Sequence, residues 1–321
     1  MNKTRKKVVI TGATSKFGRL VVPMLEKNYD LTLVTRNASK AKQMLHTKSK
    51  IVEIDLENAT KQDLLPIVRG ADCVVNIAGL VDFTASKEKL FKANAYATQI
   101  LVDACLDVNV KNFVHCSSIA IYSFKGTEKI NEESKTSPRN AYGQSKLAGE
   151  LAVTNSTLNW ISLRPGIIYG PNFKTEVEFL VKMAKNKRLK LIGKGENHVP
   201  LVYETDVAYA FAKSVDLLLT SKVRNEAINL VADQNTQREC FEILLKELGM
   251  TNFELKSMPL IVILNLAKLL KTIGAGGSLI DPEVMRVLSL DRKFDNSKAK
   301  KLLGVKFTNS EEGIKKTLKE L

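Results

Sequence analysis

Tyr142-Gly143-Gln144-Ser145-Lys146 sets a phenol and an ammonium four residues apart, on one face of a helix. A serine pair, Ser117-Ser118, follows the apolar run that ends at Cys116. Together these residue types suit proton transfer at an oxygen atom. A free tyrosine, with a pKa of about 10, is a poor base at neutral pH. A neighbouring ammonium stabilises the phenolate and lowers that pKa, and a serine hydroxyl orients and polarises a substrate oxygen. This is the proton half of moving a hydride between a nicotinamide and a carbon. A helix with one buried tyrosine and one solvated lysine has the same spacing, so the weight falls on the surroundings.

The first of these is the stretch Thr11-Gly12-Ala13-Thr14-Ser15-Lys16-Phe17-Gly18, directly behind the apolar run Val8-Val9-Ile10. A chain that leaves a buried strand, turns sharply and enters a helix needs glycine where a Cβ would clash. The helix N-terminus behind it offers free N–H groups and the positive end of a dipole, which suits a pyrophosphate. Gly12 and Gly18 fill the outer places of such a loop; Ser15 and Lys16 stand where a second glycine is expected. A residue some 20 positions further on discriminates the ribose: an acid binds its 2′-hydroxyl, whereas an arginine suits a 2′-phosphate. Arg36 stands there, followed by Asn37, Ser39 and Lys40, so NADP is expected over NAD, with NAD as the alternative.

These residues need a scaffold. Short, continuous apolar runs at 7–11, 31–35, 51–54, 73–77, 113–116, 161–163 and 228–231 read as strands covered on both faces. Helical patterns at 17–27, 39–45, 61–68, 87–107 and 142–153 alternate with them. The expected fold class is α/β, a Rossmann-type doubly wound parallel sheet. After Pro171 the rhythm turns helical, at 175–186, 206–219, 237–248 and 260–273, with one further clear strand. The expected division is a cofactor-binding domain over 1–170, with 200–235 returning to it, and a smaller, mostly helical substrate lobe over 171–199 and 236–321. A short capped helix near the end has Asp295 or Ser297 as its cap and Gly304 as its stop.

The stretch 258–273 is the most apolar in the chain, yet it is too short and too interrupted by Pro259, Lys268 and Lys271 to span a membrane. A core helix is the first expectation, a lid over an apolar substrate the second, and an interfacial helix on anionic lipid the third. The net charge of +15 is accounted for by lysines spread over a solvated surface. The densest cluster, Lys182, Lys185, Lys187, Arg188, Lys190 and Lys194, is read as a wet helix face. Aromatics are sparse and not interleaved with the basic clusters, so nucleic acid is not an expected partner. The four cysteines show no metal-ligand or disulfide spacing; no metal is expected, and a reducing, cytoplasmic compartment is.

With cradle, serine pair and Tyr-x-x-x-Lys in this order, the chain resembles an extended short-chain dehydrogenase/reductase over nearly its whole length. That superfamily includes nucleotide-sugar epimerases, dehydratases and 3-beta-hydroxysteroid dehydrogenases. The loop from Thr11 to Gly18, including Gly12, Thr14, Ser15, Lys16, Phe17 and Gly18, resembles its Thr-Gly-x-x-Gly-x-x-Gly cradle. Asp55-Leu56 resembles the pair that contacts adenine, and Asn76-Ile77-Ala78-Gly79 the segment that runs beside the cofactor. Asn94 resembles the asparagine that braces the active site. Ser118-Ile119-Ala120-Ile121-Tyr122 resembles the catalytic serine segment, which selects Ser118 over Ser117. Pro165, Gly166 and Ile168 lie in a stretch similar to the loop against the nicotinamide.

The resemblance implies that Tyr142 is the general acid/base, that Lys146 holds the nicotinamide ribose and tunes Tyr142, and that Ser118 binds the substrate oxygen. It also implies a homodimer built on helices such as 87–107 and 142–153. Two departures bear on the substrate. No acidic pair follows Ser118, and 195–203 carries His198 and Pro200 but no arginine. The first argues against a nucleotide-sugar dehydratase; the second, with the apolar 258–273 stretch, favours an apolar, sterol-, isoprenoid- or lipid-like alcohol or ketone, with peripheral membrane contact left open. A nucleotide-sugar epimerase on a tightly held cofactor is the alternative, and a non-catalytic NADP-binding assembly or sensor protein the second.

Overall fold

Each apolar run of the first half becomes a strand because its odd and even residues meet different helices. In β1 (Lys7–Thr11), Val8 and Ile10 enter one core with Val21, Leu25 and Phe211, while Val9 enters a second with Leu64, Leu101 and Phe113. A strand buried on both faces has no polar side to show. The computed structural model describes residues 5–122, 129–232, 234–273 and 280–321.

The chain continues as α1 (Gly18–Glu26), β2 (Asp30–Thr35), α2 (Ala38–Leu45), β3 (Lys50–Glu53), α3 (Lys61–Val68), β4 (Cys73–Asn76), α4 (Lys87–Phe91), α5 (Ala97–Asp107), β5 (Asn112–Cys116), α6 (Ala141–Thr154), β6 (Asn159–Pro165) and β7 (Ile167–Tyr169). Then follow α7 (Thr175–Lys185), β8 (Lys190–Ile192), β9 (Leu201–Tyr203), α8 (Glu204–Leu219), β10 (Glu226–Leu230), α9 (Gln237–Glu247), β11 (Lys256–Met258), α10 (Leu260–Thr272), α11 (Pro282–Leu288) and α12 (Ser310–Leu318). Seven strands form one parallel sheet in the order β10-β6-β5-β4-β1-β2-β3. The order reverses between β1 and β4, and ligands of open α/β sheets settle at the carboxyl ends of strands flanking such a switch. The glycine loop follows β1 and Ile77–Gly79 follows β4, so both lie at that point.

Past Pro171 the structure adds three strands the pattern does not announce. β9 pairs with β7, and β11 pairs with β8. At three residues each, they are too short to display a period. The 87–107 helix is not uniform either: Lys92–Tyr96 is a π-helical turn between α4 and α5. The terminal helix differs in part: Ala299–Leu303 is a π-helical turn without a side-chain cap of its own, Asp295 Oδ1 accepts from Ser297 N at 2.8 Å ahead of it, and Gly304 stops it as expected, left-handed at φ +67°.

Two expectations need correction. The 258–273 stretch is not a core helix. In α10 only Leu264 and Ala267 are buried, while Ile261, Val262, Leu266 and Leu269 stand exposed, with Ile273 just beyond. Apolar composition does not say which side of a helix faces the protein. The basic cluster is only partly helical: Lys182 and Lys185 are on α7, but Lys187, Arg188, Lys190 and Lys194 lie on and around β8.

Candidate active site

The turn after β1 holds Gly12 at φ +69°, and a Cβ there would come within 2.7 Å of Ala78 N, so the loops after β1 and β4 touch only because Gly12 is bare. A Cβ on Gly18 would run into the Gly12 carbonyl. Ser15, in the unexpected position, accepts from Gly18 N at 2.9 Å and closes the loop onto the start of α1. Its hydroxyl hydrogen remains available to an outside acceptor. Phe17 provides no side-chain cap to α1, which leaves backbone donors at the loop for an anion. The Phe17 ring itself is core, edge-on to Phe211 with centroids 4.8 Å apart. Lys16 Nζ lies over the Phe173 ring, and the hydroxyl oxygens of Thr14 and Thr35 are 3.2 Å apart.

At the end of β2 the Arg36 side chain is 76% exposed, its charge met by Glu57 at 3.8 Å. Asn37 is occupied as the cap of α2, accepting from Lys40 N at 2.8 Å. Asp55 accepts from Glu57 N and Asn58 Nδ2, and the half-buried Leu56 packs toward the second core. A bare cradle at the switch point fits the pyrophosphate of a dinucleotide.

Asn76 and Asn94 are buried beneath the site. Asn76 Oδ1 accepts from Thr11 Oγ1 at 2.6 Å, and Asn76 Nδ2 donates to Thr98 Oγ1 at 3.1 Å. Asn94 sits in the π-helical turn, accepts from Leu80 N at 2.7 Å, and donates to Leu80 O and Ser145 Oγ at 2.9 and 3.0 Å. It thereby ties the loop after β4 to α6. Gly79 and Gly149 make the fit: a Cβ on the first would lie 2.8 Å from Asn94 Oδ1, and one on the second would strike the Asn94 carbonyl.

The α6 helix is capped by Asn140, which accepts from Gly143 N at 2.8 Å. Tyr142 and Lys146 therefore lie one turn apart near its start, both buried. The Ser118 hydroxyl hydrogen-bonds the Tyr142 phenol and also accepts from Ala120 N at 3.1 Å. Ser117 is buried with its hydroxyl unpartnered among the described residues. The structure thus brings Ser118, and not Ser117, to Tyr142. The ring of Phe83 leans on Tyr142 at 5.1 Å between centroids.

Electrostatically the site departs from expectation. Burial pushes the Tyr142 phenol above its ordinary pKa, and the Ser118 hydrogen bond only partly opposes this. The Lys146 ammonium, one turn along α6, donates to the Cys116 carbonyl. Burial pulls the Lys146 pKa down, against the favourable field of Glu150. Under it, His115 is held neutral by burial and by the Lys146 charge, with Nδ1 3.4 Å from Asn76 Nδ2.

One constellation was not foreseen. Glu150, one turn beyond Lys146, accepts from Arg164 Nη2 at 2.5 Å, from Arg164 Nε at 3.1 Å and from Ser162 Oγ at 2.9 Å. Arg164 Nη1 donates to Tyr122 Oη at 2.5 Å, and Tyr122 donates to Asn229 Oδ1 at 2.8 Å. The i, i+4 spacing of Lys146 and Glu150 was its one signal in the sequence. At the end of β6, Pro165 is buried, and a Cβ on Gly166 would meet the Pro200 carbonyl. Ile168, half-buried on β7, packs against the first core. Among the described residues no cluster of His, Cys, Asp or Glu has the makings of a metal site. None of their helices is long and apolar enough to cross a membrane.

The profile described as the NAD dependent epimerase/dehydratase family matches residues 8–230. A 3beta-hydroxysteroid-dehydrogenase/decarboxylase (isoform 1) of Arabidopsis thaliana is 28% identical over 289 residues, covering 83% of this chain. The chain spans 65% of that relative's length. Among solved structures, a UDP-N-acetylglucosamine 4-epimerase from Methanobrevibacter ruminantium superposes with a TM-score of 0.75 at 21% identity, over 99% of this chain and 98% of that one. A UDP-glucuronic acid 4-epimerase from Bacillus cereus in complex with NAD gives 0.75 at 19% identity, over 98% of each. At these identities the two structures establish the shared fold.

Proposed function

The chain belongs to the NAD dependent epimerase/dehydratase family, and within it we propose an NADP-dependent oxidoreductase that interconverts a secondary alcohol and a ketone. The observation that carries this is the meeting of Ser118, Tyr142 and Lys146 at the carboxyl edge of the sheet, beside the bare glycine cradle. Gly12, Ser15 and the start of α1 would hold the pyrophosphate, and Arg36 the 2′-phosphate. Bound there, the nicotinamide supplies or takes up a hydride. Ser118 donates to the substrate oxygen, and Tyr142 gives that oxygen its proton in reduction and removes it in oxidation. The Lys146 ammonium favours the phenolate once a proton has left Tyr142. Asn94 and the Glu150–Arg164 pair keep α6 in place while this occurs.

An apolar substrate is part of the proposal. Phe83 walls Tyr142, and the Arabidopsis relative is named for a sterol reaction. The cofactor-binding part is taken as 1–170 with 200–235, and the substrate lobe as 171–199 and 236–321, working in a reducing compartment. A homodimer is proposed on the open groove between α5 and α6, lined by Val102, Leu106, Ala148 and Leu151. The test of function is NADPH consumption against a panel of apolar ketones. The native protein should turn over at least one of them. Tyr142→Phe should lose about 10²–10⁴-fold in rate while binding NADPH within about twofold of the native protein. Full activity in that variant would refute the assignment, and UDP-sugar epimerisation without net NADPH change would replace it with the alternative.

A further inference from the structure

The α10 helix shows an outward row of exposed apolar side chains. Val262, Leu266, Leu269 and Ile273 recur at helical spacing, with Ile261 beside them, and the five are 47–64% exposed. Leu264 and Ala267 point the other way, into the protein, so the outward row is not a lid over this chain's own site. A row of this kind is uncommon on a monomer surface and marks a contact. The helix has 13 residues, about 20 Å, against about 30 Å of bilayer hydrocarbon, so it can lie in a membrane interface but not cross it.

Charge selects the occupant. The helix has no acidic residue and carries Lys268 and Lys271. Pro259 joins it directly to β11, which pairs with β8 in the register Lys256↔Lys190. The same β8 lies inside the basic run from Lys182 to Lys194, which has six cations and no carboxylate. Lys185, Lys187, Arg188, Lys190 and Lys194 are all exposed. An apolar row joined through a two-stranded ribbon to a dense cationic patch matches acyl chains below and anionic headgroups above. We infer that α10, with the β8–β11 ribbon, docks this protein onto an anionic membrane surface. Lys271 and Asp281, 2.7 Å apart, clamp α10 to α11, and Glu283 of α11 accepts from Asn140, the cap of the Tyr142 helix, at 3.3 Å. The docked helix is thus linked through α11 to the start of the Tyr142 helix.

The test is flotation of the full chain with vesicles, independent of any activity. Vesicles of phosphatidylcholine and phosphatidylglycerol in equal parts should carry the protein; pure phosphatidylcholine vesicles should carry far less, and salt should release it. Leu266→Glu with Leu269→Glu should weaken binding about tenfold or more. Lys187→Glu with Lys190→Glu should weaken it about 25-fold on anionic vesicles. All four side chains are exposed, so unchanged thermal melting confirms folded variants. No binding to anionic vesicles overturns the inference, as does binding that the leucine pair leaves unchanged. Self-association abolished by the leucine pair, without vesicle binding, would assign the row to a second copy and overturn it equally.

Discussion

Replacing Arg36 by alanine separates the two halves of cofactor recognition. In the folded chain Arg36 forms a surface pair with Glu57 at 3.8 Å. Exposed pairs contribute about 0–1 kcal/mol, so the variant should melt within a degree or two of the native protein. A charge-assisted hydrogen bond to a phosphate contributes about 1.5–3 kcal/mol. Its loss should therefore raise the Kd for NADPH by about 10–150-fold, since 1.4 kcal/mol is a factor of ten. NADH lacks the 2′-phosphate, so its Kd should stay within about twofold. Cofactor fluorescence on titration measures both values without a substrate. Arg36→Asp should go further: about the same loss for NADPH and a gain for NADH, because a carboxylate can accept from the 2′-hydroxyl. A native protein that binds NADH more tightly than NADPH would refute the reasoning. So would a variant in which both cofactors weaken equally.

Glu150→Gln leaves the Arg164 guanidinium buried opposite a neutral amide, so urea unfolding should show a loss of about 3–5 kcal/mol with an unchanged slope. His115 is neutral when folded and titrates near 6.5 when unfolded. Below that pH the unfolded chain binds the extra proton, so this contribution to stability is present above about pH 6.5 and is lost as pH falls, by up to about 1.4 kcal/mol per unit. Comparing His115→Asn with the native protein between pH 7 and 5 should show a flatter acid limb in the variant. Leu106→Glu with Leu151→Glu places charges in the α5–α6 groove and should give a monomer in sedimentation velocity; an unchanged dimer would exclude that groove.

How far the sequence could be read depended on length and on whether neighbours had to be known. The strands around Val9, Val74 and Val114 were legible because burial on both faces writes an unbroken apolar run. The places of Gly12, Tyr142 and Lys146 followed from loop and helix spacing, and that of Ser118 from the family resemblance of its segment. β8, β9 and β11 were not legible, since three residues carry no period. The position of α10 was misread because its leucines say that the helix is apolar and not which of its sides is covered. Only the fold reveals that the Lys146 ammonium reaches the Cys116 carbonyl. Glu150 and Arg164 are 14 residues apart, and no local pattern links them.

The position of β10 has a consequence for synthesis. It is the outermost strand beside β6, and Ile161 waits for Glu226, 65 residues later, before its backbone is paired on that side. At about 5–20 residues per second, β6 emerges as a bare edge roughly 3–13 s before its partner. An unpaired edge of this kind invites pairing with another nascent chain. Until then the Tyr122 hydroxyl also lacks Asn229. The first 170 residues hold the cradle and the Ser118, Tyr142 and Lys146 side chains, yet released alone they would carry an open sheet edge. Their folding completes only when the chain has passed residue 230.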